Sequence, residues 1–322
     1  MPLITRDDFI ETYIKVYQRG ASYLFSKLNP SASKRTISTF DDTGLQTANY
    51  WIIPAVRRLW NRQVSGKEEV PYEQHVYDTW LKEKKGLRLL SLGSGISSHE
   101  TVFASFPCFE EVKCVDFAPA LMEKARFNAE SSGLRNMTFE AADVNKMELS
   151  SGEWDIILFH SSLHHFRELP QLLNKVKAAL KPDGLLIINE YVGPRRLQHS
   201  PVKRKAINSI LHEIPEKYRR RFKTGFIKRN VSGPGLLRML VTDPSEAVES
   251  DLILPLIHER FTTREEKGLA GTLLMPLLKD LAHHFMDEAD PEAQKVLHEV
   301  INKEEVYLHD NPCDFIFGVY SS

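Results

Sequence analysis

The chain has 322 residues, of which 42% are hydrophobic and 26% are charged, and its 42 Lys and Arg nearly balance 43 Asp and Glu. This composition is ordinary for a folded globular protein and excludes global disorder. A formal charge of −1 provides no overall basic field for nucleic acid or anionic lipid. The three cysteines form no C-x-x-C pair, which argues against a disulfide framework and a cysteine zinc site.

The sequence shows no pattern that predicts export or membrane insertion. Its first residues, MPLITRDDF, reach two aspartates before any apolar run, which is not the pattern of a signal peptide. The densest apolar stretches, such as Leu185 to Ile188, are far shorter than the ~20 residues that a membrane helix needs. We therefore expect a cytoplasmic protein without a membrane partner.

Residues 1–85 have helical periodicity and form a predicted N-terminal cap. Helices are predicted at about 7–28, 47–63 and 71–84. Pro54 lies inside the second of these and is expected to kink it. This helix is also rich in aromatic side chains that require burial, so we expect it to cover a ligand cleft with Tyr50, Trp51 and Trp60.

Short apolar runs alternate with helical patterns from residue 86 to residue 194. This βαβα order predicts a parallel sheet with helices on both faces. The predicted strands are 87–92, 112–116, 137–140, 155–159 and 185–189. Residues 86–194 are therefore the predicted core domain.

The remainder of the chain departs from this order. Residues 195–242 form a predicted helical, basic lid insertion, in which ten Lys and Arg of 203–229 stand against two Glu, a formal balance of +8. These bases belong either to a solvated helical face paired with acidic 286–305 or to a site for a phosphorylated or carboxylated substrate or RNA. Residues 243–322 are the predicted C-terminal part of the core, with a helical insertion and a closing strand from Cys313.

A glycine turn and a distant aspartate indicate a nucleotide-type ligand. Gly93-Ser94-Gly95 follows the first buried strand and precedes a helix, and Asp116 ends the next strand, 21 residues after Gly95. Glycines at this point admit a ligand to the backbone, and an acid at this spacing binds a ribose diol. The full G-x-G-x-x-G is absent, which favours a nucleotide without a phosphate chain. The structural alternatives are a simple turn for the glycines and a helix cap for Asp116.

Five sequence elements follow one another in the order and spacing of a known family. They are LRLLSLGSGISSHE, CVDFAPALMEKAR, FEAADVN, EWDIILFHSSLHHF and LKPDGLLIINEYVGP. Together they resemble the class I S-adenosylmethionine-dependent methyltransferases. The motifs WIIPAV, NEYVGP, DPSEAVES and AGTLL resemble one bacterial branch of that family, so the likeness extends over nearly the whole chain.

The resemblance implies a fold, a cofactor and an activity. The fold is α/β, a Rossmann-like doubly wound, seven-stranded, mostly parallel sheet whose last strand is antiparallel, with a helical N-terminal extension and helical lid insertions. The cofactor is S-adenosyl-L-methionine, and we expect methyl transfer to a small-molecule acceptor, on oxygen or otherwise on nitrogen or carbon. The alternatives are an enzyme that modifies tRNA or protein through 203–229, and a non-catalytic cofactor-binding subunit. Nucleic acid is not the expected partner, and a homodimer is compatible with the sequence.

The resemblance also assigns cofactor-binding residues. The glycine turn would line the methionine part, Asp116 would bind the ribose hydroxyls, and the remaining contacts would come from Ser94, Phe117, Asp143, Val144 and His160. The chain departs from the family at Ser91, where the first strand usually has an acid, and at Ser97, where a third glycine is usual. Glu100 or a main-chain carbonyl is the expected substitute for the missing acid.

The acceptor side has fewer candidates. His164 or His165, with Glu190, is the predicted acid–base pair, because an imidazole titrates near neutrality and an alcohol must lose a proton as the methyl arrives. Packed or capping histidines and a buried structural carboxylate are the alternatives. A metal site lacks a clear third ligand, so none is predicted. The expected substrate-binding residues are Tyr191, Trp51 and Ser161.

Overall fold

A computed structural model describes residues 2–19 and 49–322 of the protein. The parts of the first two predicted helices at 20–28 and 47–48 lie outside the described residues. A seven-stranded sheet organises the remainder, in the order β3-β2-β1-β4-β5-β7-β6. Its strands are β1 Leu87–Leu92, β2 Phe109–Asp116, β3 Met137–Ala141, β4 Trp154–His160, β5 Leu180–Tyr191, β6 Thr262–Leu269 and β7 Phe315–Ser321.

The strand pairing confirms the predicted Rossmann-like architecture. Strands β1 to β5 are mutually parallel, whereas β7 runs antiparallel to both β5 and β6. The strand order reverses between β1 and β4, so a crevice opens beyond the carboxyl ends of these two neighbouring strands. In open α/β sheets this is the place where ligands bind.

Helices cover both faces of the sheet. In chain order they are α1 Arg6–Arg19, α2 Pro54–Ser65, α3 Tyr72–Val76, α4 Ser98–Ser105, α5 Pro119–Ser131, α6 Leu169–Ala179, α7 Pro201–Glu213, α8 Leu236–Thr242, α9 Ile253–Arg260, α10 Leu274–Leu278 and α11 Pro291–Asp310. The sequence pattern from about Pro244 to His258 also predicts a helix, but the observed helix α9 is shorter and begins at Ile253.

Alternate residues of each central strand enter different hydrophobic clusters. In β1, Leu87 and Leu89 pack with α2, α7 and α11, whereas Leu90 and Leu92 pack with α6 and α9. Successive side chains of a strand point to opposite faces, so an apolar strand such as β1 requires cover on both sides. The N-terminal cap shares the first of these clusters and is part of the same core.

Pro54 begins helix α2 and does not kink it. The residues before it, Tyr50–Ile52, form a separate turn of 3₁₀ helix. Proline suits the first helical position because its missing N–H would have no partner there. The helix ends at Gly66, whose φ of +78° is the left-handed conformation of a helix stop.

The aromatic residues of the cap lie at the β7 side of the sheet and not over the glycine turn. Trp51 and Trp60 pack edge to face with ring centroids 3.9 Å apart, and both approach Phe315 at the start of β7. Trp60 Nε1 donates to the carbonyl of Ala270 at 2.7 Å. Phe315 pairs with Tyr191 at the end of β5, so the cluster packs on β7 beside the carboxyl edge of the sheet, and its role as cover of the cofactor cleft stays a prediction.

The basic segment 203–229 is largely integrated into the fold. Lys203 forms a buried ion pair with Asp314, and buried Lys228 donates to three carbonyl oxygens at the end of α10, those of Pro276, Leu277 and Lys279. Lys217 pairs with Glu292 at 2.6 Å, as expected for a face that meets acidic 286–305. Within the described residues, no helix is both long and apolar enough to cross a membrane.

Candidate active site

The glycine turn after β1 is held by hydrogen bonds to β2. The N–H groups of Gly93 and Ser94 donate to the carbonyl of Val115 at 2.8 and 3.1 Å. Gly93 and Gly95 both have positive φ, +77° and +55°. A Cβ on Gly95 would meet nothing within 4 Å, so this stretch of backbone is open to a ligand.

Asp116 connects this turn to the next helix. Its Oδ2 accepts the N–H of Gly95 at 2.9 Å, and its Oδ1 accepts the N–H of Ala118 at 2.9 Å. The next side chain, Phe117, is 37% exposed. The carboxylate thus binds the main chain of the glycine turn and of the residue before helix α5, without capping that helix, and its contact with a ribose stays a prediction.

Gly93 is required for a different reason from Gly95. A Cβ on Gly93 would lie 2.6 Å from Cβ of Ser162, which follows β4. We expect Gly93→Ala to destabilise the protein by about 2–4 kcal/mol, because left-handed strain and overpacking add together. Denaturant midpoints measure this effect. Gly133→Ala, with φ +74° and no atom within 4 Å, is the matched control and should lose only about 1–2 kcal/mol; equal losses would contradict the role of Ser162.

Ser162 links the glycine turn to the predicted base. Its hydroxyl donates to the carbonyl of Leu92 at 2.7 Å, and its N–H donates to Oε1 of Glu190 at 2.5 Å. The N–H of Leu163 donates to the same carboxylate oxygen at 2.6 Å. Glu190 is fully buried at the end of β5, and it holds the loop after β4 in place.

His164 is the histidine that Glu190 orients. Its Nδ1 lies 2.8 Å from Oε2 of Glu190, whereas its Nε2 has a carboxylate oxygen, Oε1 of Glu246, at 3.8 Å, beyond hydrogen-bonding distance. Burial opposes the charged imidazole most strongly, but the carboxylates of Glu190, Glu246 and Asp243 together outweigh it and raise the pKa of His164. Burial and then His164 lower the pKa of His165, whose Nδ1 lies 3.2 Å from Oγ of Ser245. The pKa values of the two neighbouring histidines are thus shifted in opposite directions.

Glu246 is a third side chain at this position. Its Oε1 lies 3.8 Å from Nε2 of His164, and its Oε2 lies 3.9 Å from Nε2 of His165. These three residues could hold a metal ion, since one ligand atom from each lies within 4.8 Å of the others. Sequence reasoning found no third ligand, because Glu246 is about 80 residues away along the chain. The motif DPSEAVES that contains it was the available signal.

The remaining cofactor candidates lie around the same crevice. Asp143 follows β3, where its Oδ1 accepts the N–H of Asn145 at 3.2 Å and its Oδ2 pairs with Lys146 at 3.2 Å. Val144 is buried beside it. His160 ends β4, and its ring stacks on that of His99 with centroids 3.5 Å apart.

The two departures from the family pattern have different consequences. Ser91 donates its hydroxyl to Glu100 at 2.5 Å, so the carboxylate of the predicted substitute lies beside the residue that replaces the missing acid. Ser97 is buried and adopts a φ of +56°, a conformation that glycine would adopt more readily. The turn thus keeps the glycine conformation without the glycine.

The substrate-binding candidates lie along the edge beyond β4 and β5. The Tyr191 ring packs against His164 with centroids 6.0 Å apart and against Phe315 with centroids 5.3 Å apart. Phe315 in turn contacts Trp51. Ser161 is exposed, with a φ of +48°. A cavity of about 270 Å³ lies elsewhere, near the start of β1 and β4, and its lining includes none of these residues.

The residues around the glycine turn fit S-adenosyl-L-methionine. Gly95 offers open backbone, and Asp116 lies beside it for a ribose diol. The buried carboxylate of Glu100 also lies close to the turn, beside Ser91 of β1, where the cofactor would bring an ammonium group. No pyrophosphate is required by a turn of this shape.

Comparisons with known proteins agree with this geometry. A family model described as a methyltransferase domain matches residues 83–260. An uncharacterised methyltransferase of Bacillus subtilis, YcgJ, is 25% identical over 123 residues, which are 38% of this chain and 46% of that protein. Demethylmenaquinone methyltransferase of Thermus thermophilus is 27% identical over 136 residues, 42% of this chain and 61% of that protein. The matches thus span about half the length of these relatives.

A solved structure shows the same fold. Phosphoethanolamine N-methyltransferase 2 of Haemonchus contortus, in complex with S-adenosyl-L-methionine, has a TM-score of 0.50 at 15% identity, covering 78% of this chain and 52% of that one. The family model covers more than half of the present chain. The chain therefore belongs to the methyltransferase domain family.

Proposed function

We propose that the protein transfers a methyl group to a hydroxyl group of a small molecule, with His164 as general base. The observation that carries this proposal is the Glu190–His164 pair, joined through Ser162 to the glycine turn. A hydroxyl nucleophile must lose its proton as it attacks, whereas a neutral amine can attack first. A carboxylate-oriented imidazole at this edge of the sheet therefore favours oxygen as the methylated atom.

The proposed reaction is a single in-line displacement. The bound cofactor supplies an electrophilic methyl group on a sulfonium sulfur. As the acceptor oxygen forms its bond to carbon, the carbon–sulfur bond breaks and Nε2 of His164 takes the hydroxyl proton. Glu190 holds Nδ1 and stabilises the resulting imidazolium, in the manner of other carboxylate-oriented histidines. Trp51, Ser161 and Tyr191 remain the proposed contacts for the acceptor.

A small acceptor is favoured over tRNA or protein because the fold itself uses three of the ten bases in 203–229. Lys203, Arg221 and Lys228 are buried against partners of the fold. The test is a panel of hydroxyl, amine and carbon acceptors, with tRNA and total protein beside them, incubated with cofactor carrying a tritiated methyl group. Label in a small hydroxylated product supports the proposal. Label only in a macromolecule or an amine contradicts it.

The same assay separates the imidazole base from a metal ion. After dialysis against a chelator, a base mechanism retains full methyl transfer. Loss of transfer that added Zn²⁺ or Fe²⁺ restores would instead assign the chemistry to an ion held by His164, His165 and Glu246.

Glu246 contributes, after Glu190, to the pH at which His164 becomes a base. The carboxylates around His164 favour its charged form, and removing one of them makes that form less stable. We therefore expect Glu246→Gln to lower the pKa of His164, so that methyl transfer begins at lower pH than in the wild type. A profile of single-turnover rate against pH measures this shift.

The control for this prediction is Glu249→Gln. Glu249 lies on the same segment but accepts the N–H of Leu169 at 3.1 Å, so its removal should leave the profile in place. If the acid side of the rate–pH profile did not shift in Glu246→Gln, His164 would not be the group whose titration limits the rate.

A further inference from the structure

Two consecutive residues of the N-terminal cap reach the region of the glycine turn. The Tyr72 ring is nearly parallel to that of His160, at 16° with centroids 5.4 Å apart. Glu73 pairs with Nδ1 of His99 at 2.5 Å, and His99 itself stacks on His160. Helix α3 therefore meets the start of α4 and the end of β4, at the edge of the crevice.

This meeting point has an excess of negative charge. The Glu73 and Glu100 side chains are both buried, with residue exposures of 4% and 1%. Their polar partners are the imidazole of His99, the hydroxyl of Ser91 and the main-chain N–H of Glu100 itself, and the imidazole is the only one of these three that can carry a positive charge. Burial first, and Glu73 further, raise the pKa of Glu100. Buried carboxylates are costly unless a cation or hydrogen-bond donors satisfy them, so this pair provides a site for a cation.

Two polar atoms at the same point have no partner. The hydroxyl of Tyr72 and Nδ1 of His160 are buried, and neither forms a hydrogen bond to any residue in 2–19 or 49–322. Tyr72 is only 6% exposed, and Glu73 and Glu100 both act electrostatically on its hydroxyl. Buried polar groups in native proteins are nearly always paired, so these two atoms indicate a ligand.

We infer that Tyr72, Glu73, His99, Glu100 and His160 form a pocket for the amino-acid end of the cofactor. That end carries an ammonium group, which Glu73 and Glu100 can accept, and a carboxylate, to which the Tyr72 hydroxyl can donate. The cap thereby completes the cofactor site, with side chains that lie outside the glycine turn. The inference concerns cofactor binding alone and does not depend on the base proposed above.

Two ligands that differ only at this end provide the test. S-adenosylhomocysteine carries the amino-acid group, whereas 5′-methylthioadenosine keeps the nucleoside and the sulfur but lacks it. We expect Tyr72→Phe to weaken S-adenosylhomocysteine by about 2- to 12-fold and Glu73→Gln by about 10- to 150-fold in calorimetric titrations. Neither variant should change the affinity for 5′-methylthioadenosine.

Tyr72→Phe keeps the test decisive if the glutamate variant folds poorly. Its hydroxyl contacts no described partner, so removing it should not lower the melting temperature. Glu265→Gln is the matched control, because Glu265 of edge strand β6 also pairs with a cap histidine, His75, at 3.0 Å. That variant should bind both ligands as the wild type does.

Two results would overturn the inference. Equal weakening of both ligands in the Tyr72 and Glu73 variants would show that these residues only support the fold of the site. An unchanged preference for S-adenosylhomocysteine over 5′-methylthioadenosine would show that the amino-acid end binds elsewhere.

Discussion

Replacing His164 by Ala should lower the rate of methyl transfer by 10²- to 10⁴-fold, the range of a lost general base. The affinity for S-adenosylhomocysteine should hardly change, because the lost interaction is with the acceptor. His164 is the stronger candidate of the two neighbours, since Glu190 fixes its Nδ1 at 2.8 Å and its Nε2 lies 3.8 Å from Glu246, beyond hydrogen-bonding distance. Single-turnover rates with the acceptor found in the tritium assay measure the effect.

His165→Ala is the natural comparison for this variant. The Nδ1 of His165 faces a serine hydroxyl and not a carboxylate, so its loss should reduce the rate by less than about 10-fold. If neither variant slows the methyl-transfer step, the acceptor arrives already nucleophilic. Catalysis would then rest on proximity, and an amine or thiolate would replace the hydroxyl as the proposed acceptor.

Replacing Asp116 by Ala should weaken S-adenosylhomocysteine by about 1.5–3 kcal/mol, the scale of hydrogen bonds to a charged group. The variant removes a proposed contact with the cofactor and two observed hydrogen bonds together. The carboxylate can bind the ribose hydroxyls, and it holds the N–H groups of Gly95 and Ala118, each at 2.9 Å. Calorimetric titration measures the affinity, and an unchanged value would exclude Asp116 from the site.

A second aspartate separates binding from folding in this experiment. Asp155 also accepts a backbone N–H, that of Arg88 at 2.9 Å, and pairs with Lys181, but it lies near the start of β4. Asp155→Ala should therefore lower the melting temperature without changing the affinity for S-adenosylhomocysteine. A loss of affinity in both variants would mean that the effect at Asp116 is general destabilisation.

Local sequence patterns determined the sheet and the positions of its loops. The apolar run at 87–92 coincides with β1, and the run at 155–159 lies within β4. A short apolar run between turn residues is typical of a buried strand, so its position can be predicted from the sequence. The glycine turn, Asp116, the histidine loop and Glu190 all lie at the carboxyl edge of parallel strands. The carboxyl ends of parallel strands meet at one edge of the sheet, so the order of the motifs was enough to predict that these residues lie near one another.

Pairing between distant segments was decided only by the tertiary structure. Glu246 approaches His164 and His165, and Glu73 approaches His99, across separations that no helical or strand period spans. The aromatic cap residues had to be buried, yet only the position of Phe315 on β7 determined where. Burial and charge identify which side chains need partners, whereas the packing of whole helices and strands selects the partners, because many surfaces satisfy the same requirement.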